Sequence, residues 1–237
     1  MKNFKTLLST MLLLVIVTSC TLAQKREIIE KNYPIQSFTS VEADIVGNII
    51  YTQSNSVYVT VEGDKELVDK LKVTENNGVL KLTYKQKETN KGKKRLTVYI
   101  SSPAIEEIEM DGVGNFILEG FVAADNLTID FEGVGNFEAM DLQSINIKAS
   151  YEGVGNLKLG GTTDFLEVIS EGVGSVDTQK LEAKKAIVRA EGVGSVKCFA
   201  SESIDINNSG IGSVTYYGNP VEKNLKNSGI GKIRARK

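Results

Sequence analysis

The feature that most constrains this chain is a five-residue pattern that returns seven times. It reads DGVGN at 111–115, EGVGN at 132–136 and 152–156, and EGVGS at 171–175 and 191–195. SGIGS follows at 209–213 and SGIGK at 228–232. Between the first glycines (Gly112, Gly133, Gly153, Gly172, Gly192, Gly210 and Gly229) the steps are 21, 20, 19, 20, 18 and 19 residues. A period near 20 that wanders by a residue or two is that of a solenoid whose slack lies in its turns.

The repeat can be read in columns. Four residues after the first glycine stand Phe116, Phe137, Leu157, Val176, Val196, Val214 and Ile233, all apolar. Four before it stand Ile108, Ile129, Ala149, Val168, Val188, Ile206 and Leu225. Next to the later apolar column are Ile117, Glu138, Lys158, Asp177, Lys197, Thr215 and Arg234, mostly charged. Alternation with period two is the strand signal. The fold expected is therefore all-β: a single-chain parallel β-helix of coils of about 20 residues, each a strand, a G-V-G corner and a second strand. Unequal steps favour a right-handed helix over the strictly periodic left-handed kind.

Both glycines of each corner read as turn residues that supply positive φ: the seven above and Gly114, Gly135, Gly155, Gly174, Gly194, Gly212 and Gly231. The aliphatic residue between them (Val113, Val134, Val154, Val173, Val193, Ile211, Ile230) is expected to point into the core and pin the corner. After the second glycine come Asn115, Asn136, Asn156, Ser175, Ser195, Ser213 and Lys232. Asn and Ser there can bond the turn backbone and the same side chain one coil away. Phe131, Tyr151 and Met110 are core if they face inward and an apolar patch if they face outward.

A fainter copy, Ile45-Val46-Gly47-Asn48, opens the chain's first part, with Val41, Val46, Ile49 and Tyr51 in the apolar columns. Beyond it Val57 to Val61 alternates as a strand, and Asp64 to Leu71 reads as one or two helical turns. Val73 to Tyr84 reads as a hairpin about Asn76-Asn77-Gly78, residues 85–95 form a basic loop, and 96–100 form a strand. Residues 36–105 are thus expected to be an N-terminal cap with the first coils, and 106–237 the regular repeats. A cap protects an open stack of strands, and Arg234, Arg236 and Lys237 are placed to protect the far end.

Residues 1–20 read as an export signal. Lys2 and Lys5 precede an apolar run from Leu7 to Val17, too short for a spanning helix. The run ends in Val17-Thr18-Ser19-Cys20, similar to a bacterial lipobox, with Cys20 as the lipidation candidate and 21–35 as a linker. Cleavage after Ala23 fits as well. Either way the protein leaves the cytoplasm, as an outer-membrane lipoprotein or cell-surface protein, or as a periplasmic or secreted one. Its only link to a membrane would be the lipid anchor.

With an export signal and this lead-in, the run of G-V-G-N and G-I-G-S corners resembles a bacterial family described as putative auto-transporter adhesin, head GIN domain. The resemblance covers roughly residues 38–235. It implies a β-helical, exported envelope protein of Gram-negative bacteria, often lipidated, and brings no catalytic residues. A chain this short is not expected to carry the membrane β-barrel translocator of a complete auto-transporter.

The candidate binding residues form the column before the first glycine: Asp111, Glu132, Glu152, Glu171 and Glu191. Two carboxyls about 5 Å apart match a retaining glycosidase pair, but a uniform ladder does not give the two members different environments. A solvated surface ladder, offset by Lys148 and Arg189, and a cation-binding ladder are the other readings. The calcium repeat G-G-x-G-x-D is absent, so no metal site is expected. Nor is a cofactor, since a dinucleotide loop needs a third glycine and a following helix.

The chain has no histidine, the usual general base and metal ligand. It also lacks tryptophan, although eight tyrosines remain for sugar stacking. Cys198, two residues past Val196, reads as a buried apolar residue. A net charge of −2 argues against nucleic acid. The basic loop can touch anionic lipid or acidic glycan, or stay solvated. The function expected is adhesin-like binding of a glycan, matrix or envelope partner through the repeat surface, without enzymatic activity. A polysaccharide-acting enzyme and a purely structural scaffold are the alternatives, and the oligomeric state is open.

Overall fold

The computed structural model describes residues 27–84 and 95–236. The expected export signal, Cys20, most of the basic loop and Lys237 lie outside the described residues. The architecture is a β-solenoid of about six turns with coils of about 20 residues.

The N-terminal strands are β1 (Ile28–Tyr33), β2 (Ser40–Asp44), β3 (Asn48–Gln53) and β4 (Tyr58–Asp64), followed by helix α1 (Lys65–Lys70). Strands β5 (Leu71–Asn76), β6 (Val79–Tyr84) and β7 (Leu96–Ser102) follow. β1 and β4 pair antiparallel, as do β4 and β7. β5 and β6 form the hairpin, with Asn77 and Gly78 both at positive φ in its turn. Helix α1 buries Leu67 and Val68 completely.

The coils continue through β8 (Glu107–Met110), β9 (Val113–Leu118), β10 (Val122–Phe131), β11 (Val134–Tyr151), β12 (Val154–Ser170) and β13 (Val173–Ala190). They finish with β14 (Val193–Phe199), β15 (Ser203–Asn208), β16 (Val214–Tyr217), β17 (Glu222–Asn227) and β18 (Ile233–Ala235). Each pairs in parallel with its counterpart one coil away, and the corners stack in register: Val134 opposite Val154, Gly135 opposite Gly155, Asn136 opposite Asn156. The unequal steps are absorbed at the second corner, where register shifts between Ala139 and Leu142 and again between Lys158 and Gly160.

The interior is one core running the length of the stack. Phe116 stacks on Phe137 with centroids 5.5 Å apart, and Phe131 on Tyr151 at 5.8 Å. Met110, Phe131 and Tyr151 are therefore core. In the last two coils their column becomes Asn208 and Asn227, linked side chain to side chain at 2.7 Å. Their amides also donate to the Gly212 and Gly231 carbonyls.

The corner corrects two expectations: only the second glycine of each corner lies at positive φ, and the residue between the glycines faces outward. The aliphatic residues between the glycines do not enter the core. Val113, Val134, Val154, Val173, Val193 and Ile211 are 48–53% exposed, and Ile230 is 73% exposed. Period-two alternation passes through the corner unbroken, so Tyr151, Gly153, Gly155 and Leu157 share the inner side while Glu152, Val154, Asn156 and Lys158 share the outer.

The glycines, not the valine, occupy the inner positions. The Gly133 carbonyl accepts the Val154 N–H at 3.0 Å, so its oxygen points up the stack. A Cβ on Gly153 would overlap that oxygen, and one on Gly155 would overlap the Gly135 carbonyl. Gly155 also has φ +139°, open to glycine. The first glycine of the corner is thus required by close approach, the second by both close approach and φ.

We expect Gly155→Ala to lower unfolding stability by about 3 kcal/mol or more. Val154→Thr should change it by no more than about 0.5 kcal/mol, as at an exposed site. Urea melts of the two variants read the difference directly.

Candidate functional site

Two surfaces stand out, one on the corner ridge and one on a different face of the coils. On the ridge the outer alternation sets Asp111, Glu132, Glu152, Glu171 and Glu191 in one exposed file. The exposed Val and Ile file runs beside it, two residues on. Across seven coils that apolar row extends about 29 Å, at ~4.8 Å per coil. Each aliphatic stands in register with its counterpart one coil away, and all but Ile230 are about half exposed.

The far side of the ridge is an amide ladder. Asn115 donates to Asn48 at 2.9 Å, Asn136 to Asn115 at 2.8 Å and Asn156 to Asn136 at 2.9 Å, and the Ser175 hydroxyl donates to Asn156 at 2.5 Å. These side chains bond one another, as their column predicted, and hold the register of the ridge. The five carboxylates take part in no ion pair among the described residues. Partial desolvation, then Glu171, Glu132 and Asp130, hold the Glu152 carboxyl above its usual value. Glu109, two coils back, is raised by desolvation and by Glu42, Asp130 and Glu132. Lys148 and Arg189 make no salt bridge to the file.

The second surface escaped sequence reading. A groove of about 710 Å³ runs across the bend before each pre-corner arm, over residues 123–125, 143–145, 162–164, 182–184 and 199–201. A second hollow of about 670 Å³ adjoins it, sharing Ala123, Ala124 and Asp125. The bend is fixed by hydroxyls: Ser144 donates to the Asn146 carbonyl at 2.9 Å, and Thr163 to the Phe165 carbonyl at 3.1 Å. Beside it Asn146 donates to Asn126 at 2.8 Å, a second amide ladder. One signal was available: Ser144, Thr163 and Ser201 stand at matching places in three coils, with Ala183 in the coil between the last two, each hydroxyl a natural partner for a bend carbonyl.

Cys198 is fully buried, and burial pushes its thiol up to about 12. No group of three or more acidic, histidine or cysteine side chains able to hold a metal is found among the described residues. No helix among them is long and apolar enough to cross a membrane.

A family model described as putative auto-transporter adhesin, head GIN domain, matches residues 37–220. The fold is similar to the crystal structure of a putative adhesin from Bacteroides fragilis NCTC 9343. That comparison gives 31% identity and a TM-score of 0.85, covering 89% of this chain and 97% of that one. A putative adhesin from Parabacteroides distasonis ATCC 8503 shares the fold at 15% identity and TM-score 0.67, covering 90% of this chain and 98% of its own. A protein from the same strain described as a putative lipid binding protein shares it at 22% identity and TM-score 0.63, covering 89% and 97%. No curated protein matches the chain.

The raised Glu152 and Glu109 carboxyls fix the sign of a pH effect. A carboxyl whose folded-state pKa is raised binds its proton more tightly in the native state. Stability therefore falls as pH rises from the unfolded carboxylate value through the raised folded one. We expect Glu152→Gln to flatten this part of the pH–stability curve, and added salt to do so partly. Native Cys198 should resist a thiol reagent at pH 8 until the protein is unfolded.

Proposed function

The chain belongs to the putative auto-transporter adhesin, head GIN domain family, and we propose that it is an exported envelope protein that binds a protein partner through the ridge of its repeats. The observation that carries this reading is the apolar file, half exposed on seven successive corners beside five carboxylates. Half-exposing a valine forgoes about 1 kcal/mol of burial. A continuous exposed apolar row of this length marks a surface that another molecule covers.

The chemistry of the ridge selects the partner. Its amides are spent on one another, and it offers no aromatic face for a sugar. Apolar contact framed by unpaired carboxylates suits a matrix or envelope protein presenting Lys or Arg beside aliphatic side chains. Long-range attraction would speed encounter and weaken with salt. The acidic file repels nucleic acid and anionic lipid surfaces alike.

The reading is non-enzymatic. The five carboxylates lie in one exposed file, whereas two-carboxylate hydrolysis needs two contrasting environments. Cys198 is buried, and the chain has no histidine to serve it as a base. Export rests on the N-terminal signal, with lipidation at Cys20 or cleavage after Ala23 deciding between an anchored and a released form.

A matrix-protein array probed with the purified protein at physiological salt tests this reading. We expect binding to basic matrix proteins that drops at least tenfold in a Glu132/Glu152/Glu171/Glu191→Gln variant and in a Val134/Val154/Val173→Thr variant. Binding unchanged in both moves the site off the ridge. No binding at all favours the scaffold reading.

A further inference from the structure

The groove away from the ridge has its own chemistry. Its walls are outer positions of successive coils. Ala123, Gln143, Thr162 and Glu182 align in one file, as the strand registers place them. Beside them lie two exposed apolar groups, Phe121 at 52% and Ile145 at 50%. From the Pro103 turn to Ser201 the two joined hollows cross five coil spacings, on the order of 24 Å at ~4.8 Å each.

Three observations narrow the occupant. On either side of the bend the strands that floor the groove are paired coil to coil, so a peptide cannot add to them as an extra strand. The charged side chains there are Glu106, Glu107, Asp125, Asp164, Glu182 and Lys184, and Lys184 is already tied to Asp164 at 2.7 Å. A polyanion, whether uronate, sulfate or phosphate, would meet net negative charge. What remains is an amide, a hydroxyl and carboxylates that can bond hydroxyl groups, interleaved with flat and branched apolar faces. A pyranose chain presents the same mixture, hydroxyls at its rim and C–H groups on its faces.

We propose that this groove is a binding site for an extended, uncharged polysaccharide, lying along the stack against Phe121 and Ile145 and hydrogen-bonded by Gln143, Thr162 and Glu182. Bend hydroxyls that bond the backbone keep the floor rigid, so little ordering is needed on binding. The site is independent of the ridge, and one molecule can hold a glycan and a protein at the same time.

Affinity electrophoresis of the purified protein through gels containing a mixed-linkage β-glucan, a galactomannan or a dextran tests the inference, with hyaluronan and heparin as anionic counterparts. At least one uncharged polymer should retard the protein, little affected by salt. Phe121→Ala and Gln143→Ala/Glu182→Ala should each weaken that binding at least tenfold while circular dichroism stays unchanged. The ridge Glu→Gln variant should bind glycan like the parent, which separates failure here from failure of the ridge reading. No retardation by any of the three uncharged polymers overturns the proposal. So does retention of binding in both groove variants, or tighter binding of hyaluronan or heparin.

Discussion

The structure depends on a place where there is no room for a Cβ. At each corner the carbonyl oxygens of the coil before, those of glycines at all but the Ile45 position, point at the two glycines of the next, and a methyl group at either inner position would occupy the same space as the oxygen facing it. Only glycine lets the coils approach to hydrogen-bonding distance there. Once both inner positions are glycine, the residue between them faces outward. The exposed aliphatic row follows from the packing of the backbone, not from any preference of valine for water. Stacked β-branched side chains suit a pleated surface and shield one another along the file.

The same alternation gives the molecule its working surfaces. Because each coil repeats the register of the last, any outer position becomes a file about 29 Å long once it is used in seven coils. One file carries carboxylates, the next aliphatics, the next amides that bond their own kind. The amide ladder adds order along the stack at little cost, since its members satisfy one another. The carboxylate file does the reverse: Glu152 is pushed up by the partial desolvation of its own site and by its neighbours. Like charges held in a row are a standing expense that a basic partner would relieve.

Much of the fold was legible in the sequence. The period, the inner columns, the hairpin about Asn77 and Gly78, the burial of Cys198 and the Asn ladder all follow from spacing and residue type. The valine orientation did not. Hydropathy assigned Val154 to the core, whereas counting in twos from Leu157 would have placed it outside. The two rules conflicted, and sterics at Gly153 and Gly155 decided between them. Phe121 and Ile145 were hidden for another reason. A groove is made by the bend between arms, and the hydroxyls that mark the bend, Ser144, Thr163 and Ser201, do not give its angle. Asn208 and Asn227 put polar side chains in the column that holds Phe131 and Tyr151 in earlier coils. They bond one another, and each also reaches a glycine carbonyl in its own corner.

The direction of the corner valine is the claim on which the account turns, and cysteine accessibility tests it most directly. In a Cys20→Ser background, Val154→Cys and Leu157→Cys would be treated with a maleimide under native conditions. The structure predicts rapid labelling at position 154 and protection at 157 and at native Cys198. Protection at 154, with labelling only on unfolding, would return the valine to the core and remove the exposed row on which the ridge reading rests.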